Sequence, residues 1–375
     1  MPALLSHIDP DGLEEFSVVF TDRSLNHMSR AFQAVMRDIS GLLKEVYNAE
    51  AVALVPGGGS YAMEAVARQF AAGKNALVVR NGWFSFRWSQ IFDIGGFAGE
   101  VTVAMARQTG NSATSPFAPA PIGEVTAAIR QSRPDVVFAP HVETAAGMIL
   151  PDDYLRALAD AAHEVGGLFV LDCIASGCVW VDMKAVGVDV LISAPQKGWS
   201  ASPSAGLVML SAAAAKRLEE TTSNSFALDL RKWRAIMAAY EGGGHAYHAT
   251  LPTDALRGFR DAMIETRDYG FGRLKEAQWR LGDTVRAALA ARGIRSVAAD
   301  GFAAPGVVVS YTDDPDLQNG KKFLAQGVQI AAGVPLQVGE PEGFRTFRLG
   351  LFGLDKLYDV DGTVGRVVAA LDAVL

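Results

Sequence analysis

Short apolar runs alternate along the first two thirds of the chain with stretches where apolar residues recur every third or fourth position. Residues 51–55 form such a run, closed by Pro56-Gly57-Gly58-Gly59. Met63, Val66, Ala67 and Phe70 then recur at helical spacing. Residues 75–79 and 101–104 are two further predicted strands, 124–130 a predicted helix, and 135–140 a strand buried on both faces. Pro151 opens a helix, since proline suits a first turn. Leu155, Leu158, Ala159 and Ala162 share one face of it, and Gly166-Gly167 stop it. Strands follow at 168–172, 189–193 and 206–210. Continuous apolar strands between amphipathic helices predict a mostly parallel sheet covered on both sides.

The texture changes after residue 211. A helix is expected over 228–241, ended by Gly242-Gly243-Gly244, then one long helix over 256–289 with charges along one side. Strands at 306–311 and 344–351 and helices at 316–326 and 359–375 follow. The expected organisation is a large α/β domain, 1–253, with a smaller C-terminal α+β domain, 254–375.

Composition narrows the function classes. Half of the 375 residues are hydrophobic and 20% are charged, which describes a well-packed chain. The 34 Lys and Arg against 41 Asp and Glu give a net charge of −7, which disfavours nucleic acid as a partner. Cys173 and Cys178 are the two cysteines, too few for a disulfide framework. The start lacks a basic, signal-like region, and the most apolar stretch, 205–215, is too short to span a membrane. A cytoplasmic protein without membrane partners is expected. No His/Cys spacing matches a metal site.

Three features fall at predicted carboxyl ends of strands, where ligands sit in parallel sheets. Pro56-Gly57-Gly58-Gly59-Ser60 joins a strand to a helix, and such a junction cradles anions or is simply a tight turn. Asp172 ends the run LFVLD, where a carboxylate is costly unless paired; a helix cap, a metal ligand and a ring-nitrogen partner all fit it. Lys197 follows VLISAPQ, either as a surface residue or as an amine held against a cleft. Each is ambiguous alone. Together they supply what pyridoxal 5'-phosphate (PLP) needs: a phosphate grip, a pyridinium partner and a Schiff-base lysine.

The same residues carry a family resemblance. PGGGSYAMEAV, NGWFSFRW, APHVETAAGMILP, GLFVLDCIASGCVWVDMKAVGVDVLISAPQKGW, AYHATLP and FRLGLFG resemble the class V aminotransferases of PLP fold type I. Within them the chain is most similar to the alanine:glyoxylate and serine:pyruvate aminotransferase group. Lys197 lies 25 positions after Asp172 (197 − 172), as in the family. The resemblance implies a PLP-dependent transaminase that moves an amino group from a small amino acid to glyoxylate or pyruvate. It implies Lys197 as the Schiff-base lysine and Asp172 as the pyridinium partner, with Ile174 packing on the ring. It implies Gly58, Gly59, Ser60 and Gln196 at the phosphate, and Phe84 stacked on the ring, with Trp83 as the substitute one position away. Tyr247 and Thr250 match residues that reach the phosphate from a neighbouring subunit, which implies a homodimer with shared sites. Arg348 matches the arginine that binds the substrate carboxylate.

The chain departs from the family in two places. SHIDPDGLEEFSVVF replaces the usual Pro-Gly-Pro opening, which bears on donor choice. Ala145 and Ala146 stand where hydroxyl residues are common. His141 and Glu143 have either a site role or a turn-bonding role. Phosphoserine or aminoethylphosphonate transamination is an alternative with the same cofactor residues. A cysteine desulfurase-type lyase needs a loop cysteine in the small domain, and both cysteines precede Lys197. A non-catalytic PLP-binding module is the alternative from another class.

Overall fold

The computed structural model describes residues 8–375. Seven strands form the main sheet: β1 (Ala51–Pro56), β2 (Ala76–Arg80), β3 (Val101–Met105), β4 (Val136–Pro140), β5 (Leu168–Asp172), β6 (Val190–Ser193) and β7 (Ala205–Leu210). Their order is β1-β7-β6-β5-β4-β2-β3. Neighbours run parallel from β6 to β3, whereas β7 is antiparallel to both β6 and β1. The reversal at β7 returns β1 to the common direction. The carboxyl ends of β1, β2, β4, β5 and β6 therefore open on one side. β4, β5, β6 and β7 are buried at every position, as continuous apolar runs require.

Helices α1 (Arg30–Tyr47), α2 (Gly59–Phe70), α3 (Trp83–Gly95), α4 (Ile122–Ser132), α5 (Asp152–Glu164) and α6 (Leu230–Glu241) cover the sheet. The Ser29 hydroxyl caps α1 by accepting from Phe32 N at 3.1 Å. Pro151 is the N-cap of α5 and stands just before its first turn. This half is the α/β sandwich expected.

The expected single helix over 256–289 is two helices, α7 (Thr253–Tyr269) and α8 (Phe271–Ala290). Gly270 lies between them at φ 108° and ψ 119°, a conformation that interrupts the hydrogen-bond ladder and strains any residue with a Cβ. The expected helix over 316–326 is likewise split, into Pro315–Gln318 and Lys321–Ala325. The expected junction at 253/254 is where α7 begins. Leu256, Phe259 and Met263 of α7 pack into the large core, and a second core takes Leu274, Leu281 and Val285 of α8.

The second core lies against a three-stranded antiparallel sheet of β8 (Val307–Tyr311), β9 (Ala331–Ala332) and β10 (Thr346–Gly350), with β10 central. Phe347 and Leu349 of β10 are buried in that core. Alternation along a strand turns Arg348 to the other face, towards the large lobe. The last helix, α9 (Val360–Val374), packs on α8. No described helix is long and apolar enough to cross a membrane.

Candidate active site

A cavity of about 160 Å³ opens where those carboxyl ends converge. Its walls include Gly59 and Ser60 after β1, Phe84 and Arg87 after β2, and Thr144 after β4. Asp172 and Ile174 come from the end of β5, and Gln196 and Lys197 from the turn after β6. Seven of the residues expected at a site therefore meet in one cleft. Gly58, the N-cap of α2, is next to it.

The cleft floor is polar at two points. The first N–H groups of α2, from Gly59 and Ser60, have no partner within the helix and carry its positive end. A Cβ on Gly59 would collide with the Ile174 side chain, so this position lets the helix end and the cleft wall close together. Opposite, Asp172 is buried, and its Oδ1 accepts from Ile174 N at 2.9 Å. No other described protein group donates to this carboxylate. Burial pushes its pKa up to about 7, Glu143 adds to the rise, and Ile174 N and Arg87 oppose it. A protonated ring nitrogen is the partner such a carboxylate lacks.

Lys197 is half-buried, with Nζ 5.5 Å from the centroid of the Phe352 ring. No described carboxylate pairs with it. Burial lowers its pKa, and the positive charges of Arg348 and Arg87 lower it further. An amine so placed gives up its proton more readily than a surface lysine.

Phe84 sits in the first turn of α3, and Glu143 fixes that turn. Glu143 is fully buried. Its Oε2 accepts from Ser85 Oγ at 2.6 Å and Ser85 N at 2.9 Å. Its Oε1 accepts from Phe84 N at 3.2 Å and Ala145 N at 3.0 Å. The carboxylate thus caps the positive end of α3 and holds Phe84 at the cleft. Phe84, not Trp83, lines the cleft; Trp83 packs against Phe86 at 6.2 Å between ring centroids.

Arg348 reaches the same place from the small lobe. Its guanidinium carbon is 5.5 Å from the Phe84 ring centroid, and its Nε donates to Ala332 O at 2.8 Å. Burial lowers its pKa and Glu143 raises it. Tyr247 and Thr250 are not among the cleft-lining residues of their own chain. They lie exposed between α6 and α7, with Tyr247 Oη 3.0 Å from Thr250 Oγ1.

His141 does not line the cleft. Its Nδ1 is 2.7 Å from Ser176 Oγ, its backbone N donates to Asp172 O at 2.8 Å, and burial pushes its pKa down to about 3. It is a neutral strut joining the ends of β4 and β5. Cys173 and Cys178 are free and buried, and burial pushes both thiols up, Cys178 to about 12. Both lie in the connection between β5 and β6, closed off from solvent. Among the described residues no three His, Cys, Asp or Glu side chains gather into a metal site.

Five cleft residues were missed in the sequence: the apolar Met63, Val142 and Ala175, and the polar Arg87 and Thr144. Arg87 lies one helical turn after Phe84, a spacing that puts both on one face once α3 is recognised. Thr144 lines the cleft immediately before Ala145 and Ala146, so the wall retains a hydroxyl although both alanines are buried.

The helix end, the underbonded Asp172 carboxylate and the unpaired lysine fit the phosphate, ring nitrogen and carbonyl carbon of PLP. Comparisons with known proteins lead to the same place. The chain is 26% identical over 354 residues to the small subunit of a soluble hydrogenase from Synechococcus, covering 94% of this chain and 87% of that one. It is 25% identical to alanine–glyoxylate aminotransferase 1 of Saccharomyces cerevisiae, with 89% and 88% covered. The solved structure of an alanine–glyoxylate aminotransferase from Nostoc superposes with a TM-score of 0.78 at 24% identity, over 93% of this chain and 88% of that one. The aminotransferase class-V family matches residues 15–336, the span that holds every residue of the cleft. The chain therefore belongs to the class-V aminotransferases, enzymes that work with pyridoxal phosphate on the PLP type I fold.

Proposed function

We propose that this enzyme moves an amino group from a small amino acid, of the alanine or serine type, to glyoxylate or pyruvate. The observation that carries the reading is Lys197 and Asp172 facing one cleft, with Arg348 beside it. The relatives named for alanine and glyoxylate support the choice of substrates. When bound, PLP supplies an electron sink for the charge left on the substrate carbon as its proton departs. Lys197, without a carboxylate partner, takes that proton and returns it at the neighbouring carbon. Asp172 holds a proton on the ring nitrogen by charge. Phe84 and Ile174 give the ring apolar faces. Gly58, Gly59, Ser60 and Gln196 receive the phosphate. Arg348 offers two parallel N–H groups to the carboxylate shared by donor and acceptor.

A homodimer is part of this reading. Tyr247 is 54% exposed and Thr250 is exposed beside it, as residues serving a neighbouring subunit's site would be in a single chain. A cytoplasmic setting is also part of it, and the two free cysteines agree with a reducing compartment. The test is a panel of amino acids, including alanine, serine, aspartate and phosphoserine, against glyoxylate, pyruvate and 2-oxoglutarate. Turnover of alanine or serine with glyoxylate or pyruvate is expected. A clear preference for phosphoserine would overturn the substrate assignment.

A further inference from the structure

Every group assigned above to the cofactor phosphate is uncharged: Gly58, Gly59, Ser60, Gln196, Tyr247 and Thr250. A phosphate monoester carries about −1.5 to −2 at neutral pH, and charge-assisted hydrogen bonds are the strong ones. One cationic side chain stands at that end of the cleft. Arg87 Nη1 donates to Ser60 Oγ at 2.8 Å, which brings the guanidinium to the N-terminal end of α2. Its carbon lies 5.4 Å from the Phe84 ring centroid, so the ring supports it from the side. The Glu143 cap fixes the turn of α3 from which it projects. No described carboxylate lies within 4.0 Å of Arg87 to neutralise it. A positive helix end and an unpaired guanidinium thus converge on one point of one cavity. Both features favour an anion at that point.

We propose that Arg87 is the charged ligand of the cofactor phosphate, held by Ser60 and Phe84 beside the α2 N-terminus. This rests on the site reading above and adds to it a residue and a charge. Arg348 lies on the small-lobe side of the same ring and remains for the substrate carboxylate.

The test is binding by the full-length chain stripped of cofactor, with PLP and pyridoxal as paired probes, followed by equilibrium dialysis. Pyridoxal has the ring and the aldehyde but no phosphate. Arg87→Ala should weaken PLP binding by roughly tenfold to a hundredfold and leave pyridoxal binding within about threefold. Arg87→Lys keeps the charge but not the fork. It should fall between, and it is the variant to read should Arg87→Ala fail to fold. Equal losses for both probes would overturn the proposal, making Arg87 a support for Phe84 only. Unchanged PLP affinity with a raised KM for dicarboxylic donors would overturn it too, moving Arg87 to the substrate. A wild-type chain that binds neither probe would instead overturn the site reading, and this proposal with it.

Discussion

Glu143→Gln removes one charge and turns one acceptor into a donor at the N-terminus of α3. The wild-type carboxylate takes four donors, two on each oxygen. With the amide nitrogen on the Ser85 side, Ser85 Oγ already accepts from Asn81 N and Gly82 N and can only turn its proton to Gly82 O, and Ser85 N–H is left facing another N–H. With the nitrogen on the other side, Phe84 N–H and Ala145 N–H both lose their acceptor. The first orientation is the cheaper, with one backbone N–H rather than two left without an acceptor, about 1–3 kcal/mol. Loss of the charge from the buried end of α3 adds about 0.3–2 kcal/mol. The neutral amide is easier to bury, which offsets part of this. The net expectation is a loss of about 2–4 kcal/mol. Urea unfolding of the full chain, followed by tryptophan fluorescence, reads it as a lower midpoint at unchanged slope. PLP affinity should fall as well, because the same turn carries Phe84. A loss under about 1 kcal/mol with PLP affinity intact would refute the claim that this carboxylate holds the turn.

Lys197→Ala should abolish turnover, and borohydride reduction of the loaded wild type followed by peptide mapping should tag Lys197; a tag on another lysine would contradict the assignment. Arg348→Lys keeps the charge but loses the fork, so KM should rise for both half-reactions together, and a rise in one alone would speak against a shared carboxylate clamp. His163 Nε2 lies 2.7 Å from Asp189 Oδ2, a contact that raises the histidine pKa above its ordinary value. A group raised on folding stabilises fully below its unfolded pKa, about 6.5, and loses that contribution as pH climbs through the folded value. The stability gap between wild type and His163→Gln should therefore be wider at pH 5.5 than at pH 8.5; a gap that widened with pH would refute this.

The sheet was readable because its strands are continuous apolar runs, and 168–172, for example, is the strand observed at Leu168–Asp172. The break at Gly270 was not. Tyr269 and Phe271 keep the helical apolar rhythm on both sides, and one glycine in such a pattern is compatible with an unbroken helix. What breaks it is tertiary: α7 packs into one core and α8 into another, which calls for a change of direction, made at Gly270. The place of Asp172 and Lys197 at one cleft was legible, because their positions follow from the strands before them. Phe84, Gln196 and Arg348 were legible through the family resemblance alone. Arg87 and Thr144 were lost because periodicity says which residues share a face but not which face meets a cavity built from five strand ends. Glu143 stood out as a carboxylate at a strand end, yet its four donors come from α3 and its own turn, and no spacing along the chain announces that meeting.

Lys197 is touched by both lobes. Arg348, which depresses its basicity, and Phe352, whose ring it faces, lie four residues apart on one stretch of the small lobe, while the lysine itself hangs from the large one. The ammonium is therefore a gauge of how the lobes stand. Moving the small lobe away would rehydrate the amine and withdraw a positive neighbour, and both changes favour protonation. Bringing it in does the reverse and disfavours protonation. Lobe position and the basicity of the free amine are thus linked quantities in the cofactor-free chain.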